Sequence, residues 1–534
     1  MAAVSAFIGG LQARRGPLGF LLAALLGGLG VLGHAPFHIW PAFGVSVCGL
    51  LLLIDGAAAR PKPLWAGFAV TWSWAFGYFL AGMFWVGNAF LVDADKFALL
   101  MPFAVTALPA GLAVFWGLGG ALALRFWRGD ASRLLVFAFA LSLAEFARGH
   151  LLTGLPWNLP AYIWTPGGAI SQTAALVGPY GLSLLTLIVL ASPVALLSAS
   201  LKTHRKMLAL ASVAIALSSL AYGLVRLNAA GAVDPMKGTG PIIAAGQAGY
   251  SQKEVWDPAN AQRVTQTYLD MLTTPEARRA DIVMWPEGAF PFLLLEQPEI
   301  LTAIQERLES RTLVLGSIRR TPPREPTETG DIYANSILVF DQKSGGLTLQ
   351  DTYDKFHLVP FGEYLPLRPI FKALGIASLV AYDGEMTPGT GPSVLAVNGA
   401  PPADPRVCYE IVFPNFNTSA TGRAGWILNI SIDAWYGDLL GPDQHYAQAR
   451  ARAIETGMPL VRAASGGWSA IVDRYGRPLA QHLRGAGYAI ARLPQDTKPT
   501  LYARQGERLF LYLLSLLFVV MVITRNKNID FRFT

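Results

Sequence analysis

Cys408 is the residue of this chain best suited to covalent chemistry. It lies in the segment 405–414, Pro-Arg-Val-Cys-Tyr-Glu-Ile-Val-Phe-Pro, which predicts a short apolar strand that carries the thiol to its end before a proline stops it. The only other cysteine, Cys48, falls in a long apolar run, so the two thiols are not expected to pair. A free cysteine is usually a small buried hydrophobe. Taken alone, Cys408 therefore fits both a core residue and a nucleophile.

Two further segments favour a nucleophilic role for Cys408. The apolar run 281–286 ends in a Pro-Glu-Gly turn, which places Glu287 at a strand end, where open α/β sheets keep their sites. The segment 353–366 predicts a turn-rich loop with Lys355 among aromatic residues, which lower the local dielectric. Each residue alone fits a turn or a solvated loop. Together, a carboxylate could take the thiol proton, and a lysine could stabilise the thiolate and the oxyanion formed when sulfur adds to a carbonyl.

The order Glu, Lys, Cys resembles the nitrilase superfamily, whose catalytic set is these three residue types. The motifs around them, Trp-Pro-Glu at 285–287, Asp-Lys-Phe-His-Leu-Val-Pro-Phe-Gly-Glu-Tyr-Leu-Pro at 354–366 and Cys-Tyr-Glu at 408–410, are similar to those of the apolipoprotein N-acyltransferase family. That resemblance implies an αββα nitrilase-like sandwich joined to a bundle of membrane helices. It also implies catalytic roles for three residues. By this resemblance, Glu287 is the general base, Lys355 stabilises the oxyanion, and Cys408 is the nucleophile.

The resemblance extends to supporting residues and has one departure. Glu363 and Glu410 are candidates to position Lys355 or the leaving group, although both also fit loop ion pairs. The segment 429–437, Asn-Ile-Ser-Ile-Asp-Ala-Trp-Tyr-Gly, has Ile432 where the family usually has Asn, and Tyr436 where it has Phe. The role of a side chain at position 432 is therefore open.

Four aromatic residues are candidates to line a site for the acyl chain or the lipoprotein. Tyr409, Trp256 and Trp435 fit such a lining about as well as they fit a core. Trp157 follows a Gly-Leu-Pro sequence in the connection 149–170, which is too rich in Gly and Pro for a regular helix. An interfacial aromatic belt would explain this tryptophan equally well, but the family resemblance favours a wall of the lipid site.

The composition indicates a membrane protein. With 534 residues, 53% of them hydrophobic and 14% charged, and a mean hydropathy of +0.39, the chain is too apolar for an ordinary soluble enzyme. The first apolar stretch lacks the cleavage site of a signal peptide and is expected to remain as a helix. Eight segments are long enough to cross a hydrocarbon core of about 30 Å: 17–33, 39–55, 64–90, 97–127, 132–148, 169–200, 207–227 and 508–524.

The positive charges of the short connections predict the orientation of these segments. Only two fall on one side, Lys96 and Arg148. Thirteen fall on the other side: Arg14, Arg15, Arg60, Lys62, Arg125, Arg128, Arg133, Lys202, Arg205, Lys206, Arg525, Lys527 and Arg532. Both termini are therefore expected in the cytoplasm of a bacterial cell, and the segment at about 230–505 in the periplasm. The net charge of +7 is largely explained by this topology, and no nucleic-acid motif is present.

From residue 241 onward the pattern predicts an α/β domain of alternating strands and amphipathic helices. We expect a transmembrane domain of seven helices over 1–230, a nitrilase-like domain over 231–505, and an eighth helix with a cytoplasmic tail over 506–534. Arg450 and Arg452 are expected on a solvated helix face. Helices are predicted at 257–279, 297–310 and 443–456, and strands at 242–247, 281–286, 312–318, 333–340, 393–397, 405–411, 425–431, 459–464, 469–473 and 487–492.

These features predict acyl transfer at a membrane surface. A periplasmic chain that keeps one unpaired thiol there is expected to use it. Drawing a fatty chain out of a bilayer costs about 0.8 kcal/mol per CH₂, so an anchored enzyme suits a phospholipid acyl donor. The family resemblance implies an apolipoprotein as acceptor, whose diacylglyceryl-cysteine amine receives the acyl group. No phosphate loop or zinc spacing is present, so we expect no cofactor or metal, and we expect a monomer.

Two alternatives belong to other classes. A membrane-tethered amidase or nitrile hydrolase would use the same Glu, Lys and Cys but would pass the acyl group to water. A transporter would use the helices themselves, yet ionisable residues are few in the apolar segments, with Asp55 and Glu145 near their ends. The sequence therefore favours the transferase.

Overall fold

The computed structural model describes residues 9–10, 12, 16–197, 204–321, 332–343, 346–366, 386–417, 423–495 and 497–526. The chain divides into two compact units. One, here called the helical unit, consists of Met1–Gly231 with Arg504–Thr534, and the other, here called the catalytic domain, is Ala232–Ala503. Each unit is considered by itself.

The helical unit is built from long apolar helices. Among the described residues its helices are α1 Gly16–Gly30, α2 Trp40–Ala58, α3 Pro63–Met83, α4 Ala94–Phe97, α5 Met101–Arg125, α6 Arg133–His150, α7 Ala174–Leu197, α8 Arg205–Ala230 and, after the catalytic domain and the short α14 Leu501–Gln505, α15 Arg508–Asn526. Within the part of the chain that the structure describes, six spans are long and apolar enough to cross a membrane: Gly16–Gly33, Trp40–Ala58, Pro63–Leu91, Ala94–Arg125, Ile170–Leu197 and Arg205–Ala230. Helices α6 and α15 correspond to the other two predicted segments. Because α6 carries three charged residues and the apolar part of α15 is short, the count of eight stays a prediction.

A fully buried ion pair lies on α6 of the helical unit. Arg148 and Glu145, one turn apart on α6, are each 1% exposed, and Arg148 Nη2 lies 2.7 Å from Glu145 Oε2. Trp116 donates to the same carboxylate. Arg148 also donates to the backbone carbonyl of Leu155 and, at 3.0 Å, to that of Trp157. The guanidinium therefore supplies hydrogen-bond donors to two carbonyl groups of the non-helical backbone that follows α6.

The catalytic domain is a sandwich of two sheets. Its strands are β1 Ile242–Gln247, β2 Ile282–Met284, β3 Thr312–Thr321, β4 Ile332–Lys343, β5 Gly346–Asp354, β6 Ala403–Val407, β7 Trp426–Ile432, β8 Leu460–Ser465, β9 Ser469–Val472, β10 Pro478–His482 and β11 Gly487–Arg492. The six-stranded sheet has the order β11-β1-β2-β3-β4-β5, and the five-stranded sheet has the order β10-β9-β8-β7-β6. Strands β1 to β3 are parallel, as are β6 to β8.

Side-chain alternation explains why helices cover these sheets. In β2, Ile282 and Met284 face the core between the sheets, whereas Val283 faces the core beneath the helices. The helices of this domain are α9 Gln252–Trp256, α10 Ala261–Met271, α11 Pro275–Arg278, α12 Pro298–Leu308 and α13 Leu440–Thr456. Helices α10 to α12 belong to the core of the six-stranded sheet, and α13 packs on β8 of the other. The predicted αββα sandwich is thereby confirmed.

Several predicted elements differ from those observed. The strand predicted at 405–411 ends at Val407, and Cys408–Val412 form a 3₁₀ turn. The predicted strand 393–397 is only a single bridge between Leu395 and Ala403. The helix predicted at 257–279 is two helices, α10 and α11, because Thr273 and Thr274 interrupt it and Pro275 begins the next one. Strands β5 and β10 were not predicted.

The prediction that the arginines of α13 lie on a solvated face is wrong for Arg452. This side chain is fully buried, lies 2.7 Å from Glu455 Oε1, and donates at 3.2 Å to the backbone carbonyl of Val412. Arg450 stacks on the ring of Tyr446, with its guanidinium carbon 5.5 Å from the ring centroid. Alternating Arg and Ala residues look amphipathic in sequence, but here the arginines bind backbone and carboxylate groups of the domain.

Candidate active site

Cys408 lies at the end of β6 in a strained backbone conformation. Its φ is +48°, in the left-handed region that non-glycine residues rarely adopt, and its side chain is 7% exposed. The bend directs the chain into the 3₁₀ turn, and two buried arginines hold the end of that turn: Arg406 donates to the Phe413 carbonyl, and Arg452 to that of Val412. Burial raises the pKa of the thiol to about 12. The resting cysteine is therefore protonated, and the nucleophile must be generated by a base.

Glu287 is placed in the turn after β2 by two glycines. Gly288 has a φ of +60°, and a Cβ at Gly316 of β3 would collide with the Glu287 backbone. The carboxylate is 4% exposed, and burial raises its pKa, which is the direction that a general base for a thiol requires. Its negative charge also raises the pKa of the Cys408 thiol, so the two groups interact electrostatically.

Two donors fix the orientation of this carboxylate. Asn335 Nδ2 donates to Glu287 Oε1 at 2.5 Å, and the backbone N–H of Ile432 donates to Oε2 at 3.0 Å. Since the contact at position 432 is made by the backbone, an isoleucine supplies it as well as an asparagine would. The departure from the family pattern leaves this contact intact.

Lys355 directly follows β5 and lies between two carboxylates. Its Nζ is 2.8 Å from Glu363 Oε1 and 3.7 Å from Glu287 Oε1, and the side chain is 1% exposed. Burial alone would lower the pKa of Lys355, but Glu363 and Glu287 raise it above its usual range. The ammonium is thus a permanent positive charge in a buried site, as oxyanion stabilisation requires.

Asn335 of β4 is a site residue that the sequence analysis missed. Its side-chain amide donates to both Glu287 and Glu363, the second at 3.1 Å, and its carbonyl accepts from the backbone N–H of Lys355 at 2.7 Å. The remaining oxygen of Glu363 accepts from the Val359 N–H at 2.8 Å. The only sequence signal was an Asn-Ser pair inside an apolar strand, where polar side chains are unusual.

Glu410 joins the nucleophile turn to the lysine loop. Its buried carboxylate accepts from the backbone N–H groups of Val407, Phe356 and His357 at 2.7, 2.7 and 3.0 Å, and from the Tyr353 hydroxyl at 3.0 Å. Burial raises its pKa to about 7. Glu410 thus accepts from a side chain before Lys355 and from the backbone after it, whereas Glu363 binds the ammonium directly.

A second buried cluster adjoins Cys408. Ser431 Oγ lies 3.4 Å from the Cys408 sulfur and 2.7 Å from Asp433 Oδ1. Arg462 and His445 both bind Asp433. Sequence analysis had no reason to select these residues, because they come from β7, the 3₁₀ turn Asp433–Tyr436, α13 and β8 and meet only in the folded domain.

The aromatic candidates lie in different surroundings. Tyr409 is buried, with its ring centroid 5.6 Å from that of His357 and 4.9 Å from that of Phe413. Trp256 ends α9 and is 42% exposed, and Trp435 is half-buried in the 3₁₀ turn Asp433–Tyr436. Trp157 is buried within the helical unit, with its ring centroid 4.9 Å from that of Trp85. Substrate-binding roles for these residues remain predictions.

The chain matches two family models and many curated relatives. A model of the apolipoprotein N-acyltransferase N-terminal domain matches residues 26–192, and a carbon-nitrogen hydrolase model matches residues 242–501. Apolipoprotein N-acyltransferases of Rhodopseudomonas palustris and Bradyrhizobium diazoefficiens are 37% and 38% identical over 520 and 501 residues, which are 95% and 91% of both chains. That of Brucella melitensis is 38% identical over 490 residues, 90% of both chains.

Solved structures that match part of this chain include an amidase from Nesterenkonia sp. AN1. It is 18% identical, covers 48% of this chain and 92% of its own, and has a TM-score of 0.34. The identity to the N-acyltransferases, by contrast, extends over both units and nearly the full length. The resemblance inferred from the Glu, Lys and Cys motifs is confirmed, and the chain belongs to the apolipoprotein N-acyltransferase family.

Proposed function

We propose that this membrane enzyme transfers an acyl chain from a phospholipid to the N-terminal amine of the diacylglyceryl-cysteine of apolipoproteins, through a thioester on Cys408. The observation that carries the proposal is the buried cluster in which Lys355 lies 3.7 Å from the Glu287 carboxylate and both groups act electrostatically on the Cys408 thiol. A base, a fixed positive charge and a nucleophile are the groups that acyl transfer through sulfur needs.

The first half-reaction acylates the enzyme. The Cys408 S–H proton passes to the Glu287 carboxylate, and the thiolate adds to the ester carbonyl of the phospholipid. Lys355 stabilises the oxyanion that forms. When the carbonyl re-forms, the ester C–O bond breaks, and the leaving alkoxide takes the proton back from Glu287. The products are a lysophospholipid and a thioester, and both carboxyl and ammonium groups return to their starting states.

The second half-reaction consumes the thioester. The amine of the diacylglyceryl-cysteine adds to the thioester carbonyl, again beside Lys355, and loses a proton to Glu287. The C–S bond then breaks, and the departing sulfur recovers that proton. The amide is released and the thiol is restored. The same base and the same positive charge thus serve both halves.

Membrane attachment favours this reaction over the amidase alternative. Small amides reach an enzyme through water, whereas removing a fatty chain from a bilayer costs on the order of ten kcal/mol at about 0.8 kcal/mol per CH₂. The six long apolar helices of the helical unit are consistent with a substrate that is met in the membrane. We further propose that the helical unit is embedded in the bacterial inner membrane, that the catalytic domain is periplasmic, and that the protein acts as a monomer.

The first experiment separates the two half-reactions. Incubation of the purified full-length enzyme with phospholipid alone should release about one lysophospholipid per enzyme and then stop, because the thioester awaits its amine. Addition of a diacylglyceryl-cysteine peptide with a free amine should restart turnover. Steady release of free fatty acid without an amine would instead support the hydrolase.

The second experiment tests the proposed topology. A membrane-impermeant thiol reagent applied to the periplasmic face should modify Cys408 and leave Cys48 unmodified. Modification of Cys408 only after the membrane is broken would contradict the orientation predicted from the positive charges.

A further inference from the structure

The Ser431 hydroxyl lies between the Cys408 sulfur and a carboxylate, and the mechanism above gives it no role. Its oxygen is 3.4 Å from Cys408 Sγ and 2.7 Å from Asp433 Oδ1, in the buried interior next to the end of β7. A sulfur atom makes long hydrogen bonds, so the first contact is within donor range. The hydroxyl has a single hydrogen and can serve only one of these two acceptors at a time.

The Asp433 carboxylate has other hydrogen-bond partners besides Ser431. His445 Nδ1 lies 2.8 Å from Oδ1, and Arg462 Nη2 lies 2.8 Å from Oδ1 and 2.6 Å from Oδ2. Burial alone would raise the pKa of Asp433, but Arg462 and His445 hold it well below its usual range. An ionised carboxylate only accepts hydrogen bonds, so it can take a hydrogen from the Ser431 hydroxyl, from Arg462 and from a protonated His445 Nδ1.

This arrangement lets the serine hydrogen change acceptor while the buried charge of Asp433 keeps other partners. If the hydroxyl turns away, Asp433 Oδ1 keeps its contacts with His445 and Arg462. A neutral thiol is a weak acceptor and offers no reason for the hydroxyl to turn. A thiolate is a charged acceptor, and charge-assisted hydrogen bonds are about twice as strong as neutral ones.

We propose that Ser431 is a catalytic hydroxyl that donates its hydrogen bond to the Cys408 thiolate, and that Asp433, His445 and Arg462 are its positioning residues. The inference rests on the proposed role of Cys408 as nucleophile. No bond to the serine oxygen breaks: the hydrogen stays on Oγ and turns from Asp433 to sulfur when Glu287 takes the thiol proton. It turns back when sulfur bonds to the acyl carbon and loses its charge.

Ser431 would thus complement Lys355 in a site that otherwise opposes ionisation of the thiol. Burial, Glu287 and Asp433 all raise the pKa of Cys408, whereas Lys355 and the hydrogen bond from Ser431 lower it. Two more titratable residues adjoin the thiol, since Tyr436 interacts with its charge and His445 interacts with the Cys408 backbone.

The test compares serine variants of the full-length enzyme in detergent. The alkylation rate of Cys408 by iodoacetamide is followed from pH 7 to 10 by mass spectrometry of the peptide that contains it. Ser431→Ala should slow alkylation about tenfold across this range, because one pKa unit changes the thiolate fraction tenfold. It should also slow the lysophospholipid burst by at least tenfold. Ser431→Thr keeps the hydroxyl and should stay within about threefold of the natural enzyme in both assays.

A matched control is Ser469→Ala. It removes a buried hydroxyl of β9 that accepts a hydrogen bond from the backbone N–H of Ala464 in β8. This variant should leave the alkylation profile unchanged. Alkylation and burst rates within twofold of normal in Ser431→Ala, or a threonine variant as slow as the alanine variant, would overturn the serine proposal. A burst that persists in Cys408→Ala would instead overturn the proposed function, so the two failures are distinguishable.

Discussion

Two buried charged clusters, one in each unit of this protein, differ in character. In the helical unit, one carboxylate faces one guanidinium, and the donors that Glu145 leaves on Arg148 bind backbone carbonyls. In the catalytic domain, two carboxylates share one ammonium, because Glu287 and Glu363 both lie near Lys355. The first cluster is balanced in charge. The second carries one more carboxylate than it can neutralise.

This difference separates a structural role from a chemical one. A buried ion pair that is matched and hydrogen-bonded has nothing left to react with. An unmatched buried carboxylate holds its proton more tightly, and burial does raise the pKa of Glu287. Such a group can accept a proton during a reaction. A carboxylate in a matched pair would lose the attraction of its cation if it did so. The balance of a buried cluster is therefore more informative than the number of charges in it.

The largest effect is expected from Cys408→Ala. This change removes the proton donor for Glu287 and the only sulfur in the cluster, so transfer and the lysophospholipid burst should fall below detection. The fold should survive, because only one sulfur atom is lost from a strand end. Thermal unfolding and membrane insertion provide the control, and a properly folded variant that still transfers acyl chains would rule out Cys408 as nucleophile.

Breaking the balanced cluster should affect stability strongly. Arg148→Met leaves the Glu145 carboxylate buried without its cation and should lower the free energy of unfolding by about 3–5 kcal/mol. The loss is measured as a lower unfolding temperature of the purified enzyme in detergent. Adding Glu145→Leu should recover more than half of it, because replacing both partners by apolar residues is often neutral. A double variant as unstable as the single one would contradict the idea of a matched pair.

The unbalanced cluster should respond in the opposite way. Glu287→Gln leaves Lys355 paired one-to-one with Glu363, so stability should change by no more than about 1 kcal/mol, the net value of one lost hydrogen bond. The burst should slow by about a hundredfold or more, because the proton acceptor is gone. Single-turnover release of lysophospholipid and thermal unfolding together test this. An unchanged burst would exclude Glu287 as the base.

The smallest effect is a difference in pH profile. A cysteine with an ordinary pKa near 8.5 reaches its maximum alkylation rate a little above that pH. Burial raises the pKa of Cys408 to about 12, so its thiolate fraction should keep rising about tenfold per pH unit through pH 10. Iodoacetamide rates measured from pH 7 to 10 test this in the absence of substrate. A plateau near pH 9 would mean that the resting thiol is not held in its protonated form.

The sequence predicted the fold and the central residues because both leave local signals. Long apolar runs identify the helices, and strands such as β2 alternate between two cores. Glu287, Lys355 and Cys408 stand at element ends in extended motifs, and the fold brings them together. Strand β5 was missed because it is buried at a single position and its apolar residues are interspersed with polar ones, so no apolar run marks it.

Other features depend on contacts that no local pattern records. Asn335 and Ser431 are single polar residues in apolar strands, and only the pairing of distant segments shows what they touch. The apolar run after Cys408 reads as a continued strand, because a positive φ leaves no trace in residue type when the residue is not glycine. Arg452 shows the same limit, since burial of an arginine depends on partners supplied by other elements.

The position of Glu410 has a consequence for protein engineering. Its carboxylate holds Val407 beside the nucleophile and the backbone of the lysine loop at Phe356 and His357. An exchange of this loop with one from another nitrilase-like enzyme would carry Lys355 and Glu363 but leave their anchor behind on a different segment. Chimaeras designed to change donor or acceptor preference therefore need to transplant 353–363 and 407–410 as one unit, although more than 40 residues separate them in the chain.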